Sequence, residues 1–286
     1  MGPVHLAGET EHGEQRVITP LTDDYGWNRQ MIGGADSILD SPCRRVRLAH
    51  VPSGSFYAAA WIINAAPGPM HQPVWQGAFD FGTPPELVAA LTDRLAADLA
   101  DGGLLALHGN RHPHQAIGQL ERAGWNRSRD PNGTGRVLTL DELWDSDLLY
   151  SSPDELLSVR RRSHIGSWED ELTRGPEAWE ITAGPAAGQD SAGRLWRATF
   201  TSATPTHLVR ELTAALTNPM PVFRDQADLD HRPEVEPFLV TTANFTRTAS
   251  DRAKAARATR LSGPVTPAVG AAHQHPPTGH QPKQTR

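Results

Sequence analysis

Apolar residues recur along this chain in two rhythms, and each rhythm comes round twice. Alternation at period two marks short strands. Val46 and Leu48 share one side of a run whose other side carries Arg45 and Arg47, and Leu157 and Val159 do the same against Ser158 and Arg160. Trp61 with Ile63, and Trp179 with Ile181, repeat the alternation. So do Trp75, Gly77 and Phe79, matched by Trp196, Ala198 and Phe200. Large, small, large on one face predicts another element crossing at the small residue. The tryptophans read as core packing rather than as an aromatic platform.

Helical spacing takes over downstream. Leu87, Val88, Leu91 and Leu95 form one apolar stripe, and Leu208, Val209, Leu212 and Leu216 form its counterpart. Thr83 is predicted to cap the first of these helices, with Pro84 at its first position and Glu86 completing a capping box. His207 stands where the second copy would need the glutamate. Earlier in each copy, Val17, Ile18 and Leu21 predict a short helix before Gly26-Trp27-Asn28-Arg29, and Ile117 and Leu120 predict one before Gly124-Trp125-Asn126-Arg127. The glycine suits a left-handed helix end.

The separation between copies is 98 from Trp27 to Trp125, 111 from Ser41 to Ser152, 118 from Trp61 to Trp179 and 121 from Trp75 to Trp196. It grows in steps between elements and stays constant within them, as insertions confined to loops would make it. The chain therefore reads as an internal duplication of α+β class. Two tandem two-layer units are expected, each roughly helix, four antiparallel strands, helix, followed by a disordered C-terminal tail. The boundaries are a disordered lead over 1–15, a first repeat over 16–100, a connector over 101–114, a second repeat over 115–223 and a mostly disordered basic tail over 224–286. Whether the two units pack together is open at this point.

The series Gly-Trp, Ser-Pro-x-x-x-Val-Arg-Leu, Trp-x-Ile, Trp-x-x-x-Phe and Thr-Pro-x-x-Leu-Val resembles the SPDY family, an actinobacterial domain of unknown function. The resemblance spans about Val17 to Val222. It implies two copies and a low-complexity basic tail, and it transfers no catalytic residue. It also implies a tight turn after Ser-Pro, with the usual aspartate kept as Asp154 but replaced by Cys43 in the first copy. A loose link of such proteins to mobile elements and plasmid spread accompanies the resemblance.

Composition narrows the classes. The chain has 286 residues with 38% hydrophobic content and a mean hydropathy of -0.48. No run of 18 or more apolar residues occurs and the start lacks a basic-then-apolar order, so a cytoplasmic protein without membrane association is expected. Cys43 is the single cysteine, which excludes an internal disulfide and any multi-cysteine metal site. From Arg247 onward seven of the 27 bases stand against one of the 33 acids, leaving a body of 20 bases and 32 acids, near -12. An acidic body repels a phosphate backbone, while the tail attracts one.

Candidate chemistry is sparse. His108, His112 and His114 cluster in the connector without carboxylate or cysteine and read as linker histidines rather than a metal site. Trp168, Glu169, Asp170 and Glu171 form an acidic loop specific to the second copy. Arg160, Arg161 and Arg162 are a basic run just before it, expected to pair with those acids. Together these seven form the candidate interaction surface; no cofactor, metal or catalytic set is assigned. The reading is a non-enzymatic tandem module that binds another protein through its sheet or the cleft between copies. The alternative is a nucleic-acid-associated accessory protein whose tail residues Arg247, Arg252, Lys254, Arg257 and Arg260 make non-specific contacts. A metal-dependent enzyme built on Glu169, Asp170 and Glu171 is the remote option.

Overall fold

The computed structural model describes residues 13–52, 59–108, 112–127, 147–162, 177–184, 193–220 and 222. Trp168 to Glu171 and the tail bases from Arg247 lie outside these residues. Five strands precede the first long helix: β1 (Asn28–Gly33), β2 (Asp36–Asp40), β3 (Val46–His50), β4 (Ala59–Ala65) and β5 (Trp75–Asp80). Five more form the second copy: β6 (Asn126–Arg127), β7 (Leu148–Ser151), β8 (Leu157–Arg161), β9 (Glu177–Ala183) and β10 (Trp196–Thr201). The helices are α1 (Gly13–Asp23), α2 (Pro85–Ala100), α3 (Leu104–His108), α4 (His114–Arg122) and α5 (Thr206–Leu216). Each copy thus keeps the order helix, antiparallel strands, helix, with five strands rather than four. The added strand, β1, is exposed at every position and carries no alternation to betray it.

The two copies do not sit side by side as separate sheets. One ten-stranded antiparallel sheet runs β1-β2-β3-β4-β5-β10-β9-β8-β7-β6, so the last strand of each copy pairs with the other. There Gly77 faces Phe200, Ala78 faces Thr199 and Phe79 faces Ala198. Since Gly77, Ala78 and Phe79 correspond to Ala198, Thr199 and Phe200, the pairing is its own mirror under exchange of copies. A local two-fold axis passes at Ala78 and Thr199, the self-complementary geometry of a symmetric dimer. The helices follow the same symmetry: α2 packs on α5 across the axis, α1 lies outside α2, and α4 lies outside α5.

The described helices lie in one layer, and the core fills the space between it and one sheet face. Trp75, Trp196, Phe79 and Phe200 are fully buried there, beneath Leu87, Leu91, Leu208 and Leu212. Burial alternates as the sequence predicts, with Trp75, Gly77 and Phe79 covered and Gln76, Ala78 and Asp80 on the other side. The small residue in the Trp-x-small-x-Phe strand has a specific tenant: a Cβ added to Gly77 would lie 2.7 Å from Cδ1 of Phe200. Phe200 meets Phe79 edge to face, with centroids 5.5 Å apart. The Trp75 indole N–H donates to the Ala106 carbonyl at 2.9 Å, tying the connector helix α3 to the core.

The predicted cap of α2 is not formed. Thr83 does not cap α2, because its hydroxyl donates backwards to the Asp80 carbonyl at 2.7 Å. The cap position belongs to Pro84, without a side-chain cap bond, and Pro85 opens the helix. The threonine fastens the strand-to-helix corner instead, so the capping box with Glu86 is not formed. No described helix is long and apolar enough to cross a membrane.

Candidate functional site

With the helices on one face, the opposite face of the sheet is lined by polar and small side chains interspersed with half-buried aliphatic ones. Its central row reads Gln30, Ile38, Ala49, Ile62, Ala78, Thr199, Glu180, Arg160 and Leu149 across strand after strand. No described helix or strand lies over it. At one end, where the β2–β3 turn and the 66–73 loop rise beside the face, the sheet holds a concavity of about 760 Å³. Asn28, Asp40, Arg47 and Asn64 form its floor, one from each of four neighbouring strands, and Arg44 and Arg45 stand on the turn at its wall.

The turn's geometry follows from its serine. In the first copy the Ser41 hydroxyl oxygen accepts the Val46 N–H at 3.0 Å, and in the second Ser152 accepts that of Leu157 at 2.9 Å. Both turns place a non-glycine residue in the left-handed region, Arg44 at φ 56° and Glu155 at φ 61°. Asp154 braces the second turn, accepting from the Ser152 hydroxyl at 2.5 Å and from the Leu156 N–H at 3.2 Å. Cys43 replaces it in the first, with its sulfur 3.5 Å from the Ser41 oxygen. The same turn forms with either residue, so the aspartate is not required for it. Residues 40–100 and 151–222, which contain both turns, each match SPDY, a Domain of unknown function (DUF317). The chain carries two SPDY domains in tandem. No curated protein and no solved structure matches it.

The two SPDY copies share backbone but differ in the side chains around that turn. Where the first has Arg44, Arg45, Arg47 and Asn64, the second has Glu155, Leu156, Ser158 and Thr182. In the second copy the floor closes on itself, since the Ser158 and Thr182 hydroxyls bond at 2.6 Å. In the first, Arg47 grips Asp40 with two bonds of 2.8 and 3.2 Å, and the Asn64 carbonyl oxygen is buried without a partner. A second left-handed non-glycine residue, Met70 at φ 65°, stands fully exposed on the opposite wall. Such backbone strain concentrates at functional places. Sequence reading passed over this cluster because Arg45 and Arg47 fit the outer side of a strand; the signal was that the corresponding turn of the second copy is acidic.

The basic run singled out from sequence is divided by the pleat. Arg160 lies on the open face opposite Glu180, Arg161 turns to the helix side and is buried, and Arg162 is exposed with its guanidinium 3.5 Å from Glu180. Glu180 also receives Arg197 at 2.8 Å. The three arginines therefore do not form one patch, and among the described residues the acid paired with Arg162 is on β9. In the connector, the His112 and His114 rings touch with centroids 4.4 Å apart, while His108 is exposed. No group of three or more His, Cys, Asp or Glu among the described residues is placed to hold a metal.

Two buried polar clusters lie on the helix side. Asp98 near the end of α2 accepts from the His207 ring at 2.5 Å, across the local two-fold, and from Arg94 at 2.9 Å. His207 corresponds to Glu86 and Asp98 to Pro219, so this contact occurs on one side of the axis only. His50 stacks on Trp61 at 4.0 Å. Glu14 stands 3.3 Å from its Nδ1 but off the line of a hydrogen bond, and neither ring nitrogen is bonded. Burial pushes the His50 pKa down, outweighing the Glu14 charge.

Proposed function

We propose that this protein is a non-enzymatic module that binds another protein on the open face of its sheet. The observation that supports it is the one-sided helix layer: the duplicated scaffold covers one face with a packed core and presents the other as a long platform of polar, small and half-buried aliphatic side chains. A sheet face of this kind offers area for a partner rather than an enclosed volume for a reaction. The residues the copies share are mainly packing and turn residues: the recurring serines, Ser41 and Ser152, fasten turns, and the recurring base, Arg29 and Arg127, lies on the two edge strands. The cleft between copies expected from sequence is no candidate, because β5 and β10 pair directly.

The test is affinity capture from native lysate with the full chain. A variant carrying Ala49→Arg and Thr199→Arg on the open face, and a chain ending before Arg247, are compared with it. A dominant protein lost with the face variant and kept without the tail is the expected result. Recovery unaffected by the face substitutions would overturn the reading. Nucleic acid recovered only with the tail would favour the second reading, which rests on seven bases against one acid from Arg247 onward.

A further inference from the structure

We infer that the concavity of the first SPDY copy is a recognition pocket for an acidic, extended peptide segment. The inference rests on the protein-binding reading above and gives that face its specific anchor. Three features of the pocket point to such a ligand. Arg44 and Arg45 stand on its wall, whereas the acid within it, Asp40, already accepts from Nε and Nη2 of Arg47. An incoming carboxylate meets the exposed guanidinium of Arg44 there, while that of Arg45 lies against Gly103 at the end of α2. On the floor, the buried Asn64 carbonyl oxygen lacks a donor. A peptide supplies one from its backbone N–H, which a bare anion does not.

The wider charge distribution selects a short acidic segment over a nucleic acid. The pocket is a local cationic site on a body near -12, so a long polyanion running beyond it meets repulsion at every further phosphate, while a peptide with a few carboxylates does not. The duplication supplies an internal comparison. The second copy has Glu155 at the same turn position and its floor hydroxyls bond to each other, so among the described residues its turn and floor offer neither the basic charge nor an unpartnered acceptor.

The comparison also supplies the variants. Arg44→Glu installs at a left-handed position the residue that the second copy carries there, Glu155 at φ 61°, so the turn tolerates it. Asn64→Thr likewise installs the second copy's floor residue. The probe is a fluorescently labelled peptide alternating glutamate and serine, with its glutamine counterpart, inorganic phosphate and a short oligothymidylate as comparisons, titrated into the full chain at low salt and followed by anisotropy. The glutamate peptide should bind, the glutamine peptide should not, and Arg44→Glu should weaken binding about tenfold or more. Asn64→Thr should weaken it while leaving the salt dependence unchanged, because the contact it removes is uncharged. Glu155→Arg should change nothing. Unaltered melting curves show that each variant folds. The inference is overturned if the peptide does not bind, if folded Arg44→Glu binds it equally, or if phosphate or the oligothymidylate occupies the pocket and displaces it. The two readings fail separately. Loss of a captured protein in the face variant, with peptide binding indifferent to Arg44, removes only the pocket; indifference of the captured protein to the face variant removes the wider reading.

Discussion

Alanine in place of Gly77 tests the join between the copies at its tightest point. The added Cβ would stand 2.7 and 2.9 Å from Cδ1 and Cε1 of Phe200, closer than nonbonded carbons approach, so the ring must shift. That ring is 1% exposed and packed edge to face on Phe79, which leaves it little room. Inserting a methyl group into a packed core costs about 1–3 kcal/mol. Against this, alanine restricts the unfolded chain and returns about 0.4–1 kcal/mol. Steric cost wins, and a net loss of about 1–2 kcal/mol is expected. Urea unfolding followed by tryptophan fluorescence measures it, with the slope unchanged because the surface exposed on unfolding is the same. Phe200→Leu destabilises by itself but removes the ring edge, so Gly77→Ala in that background should cost little, giving a coupling of about 1 kcal/mol or more. A neutral Gly77→Ala, or an equal loss in both backgrounds, would refute the close fit of strand and ring across the two-fold.

Three further outcomes follow from buried polar groups. His207→Ala leaves the 3% exposed carboxylate of Asp98 with Arg94 alone, so a loss of about 2–3 kcal/mol is expected in denaturant unfolding, less than the ~3–5 for an uncompensated buried charge. For His50 the folded-state pKa lies below the unfolded value of about 6.5, so the unfolded chain binds the extra proton. Stability contributed by neutral His50 is complete above that value and is lost as pH falls below it, and His50→Phe should flatten this part of the pH profile. Tyr150 donates to Glu121 at 2.8 Å, and burial, then Glu121, push its phenol pKa well up. It should ionise in an ultraviolet titration only as the fold is lost, and Tyr150→Phe should remove that step.

Legibility differed from element to element for physical reasons. The buried strands and the long helices announce themselves because one face of each must be apolar, and the constant spacing of 121 between Trp75 and Trp196 holds on through Leu95 and Leu216. β1 escapes because an exposed edge strand owes nothing to the core. The pairing of β5 with β10 escapes for a subtler reason: Trp75, Gly77 and Phe79 show the same alternation whether their strand ends a sheet or sits at its centre. Thr83 was assigned to a cap because sequence cannot say whether a hydroxyl turns forward to the helix or back to Asp80. The Asp98–His207 contact joins residues 109 apart and has no local signature. At the candidate pocket the information was present, in the exchange of Arg44 for Glu155 at one turn position, but it acquires meaning only once Asn64 and Asp40 are seen on the floor beneath.

The self-matching register at Ala78 and Thr199 also constrains how many copies such a chain can usefully hold. A solenoid grows because each unit has a top and a bottom, so another repeat can always be stacked on. Here each copy spends its β5-type edge on one twin, and the remaining edges, β1 and β6, are of a different kind. A third copy would arrive with an edge that has no counterpart, and an unpaired strand of that sort invites association with other chains. Repeats joined in this way are expected to come in twos, and an odd one out to find its match on another molecule.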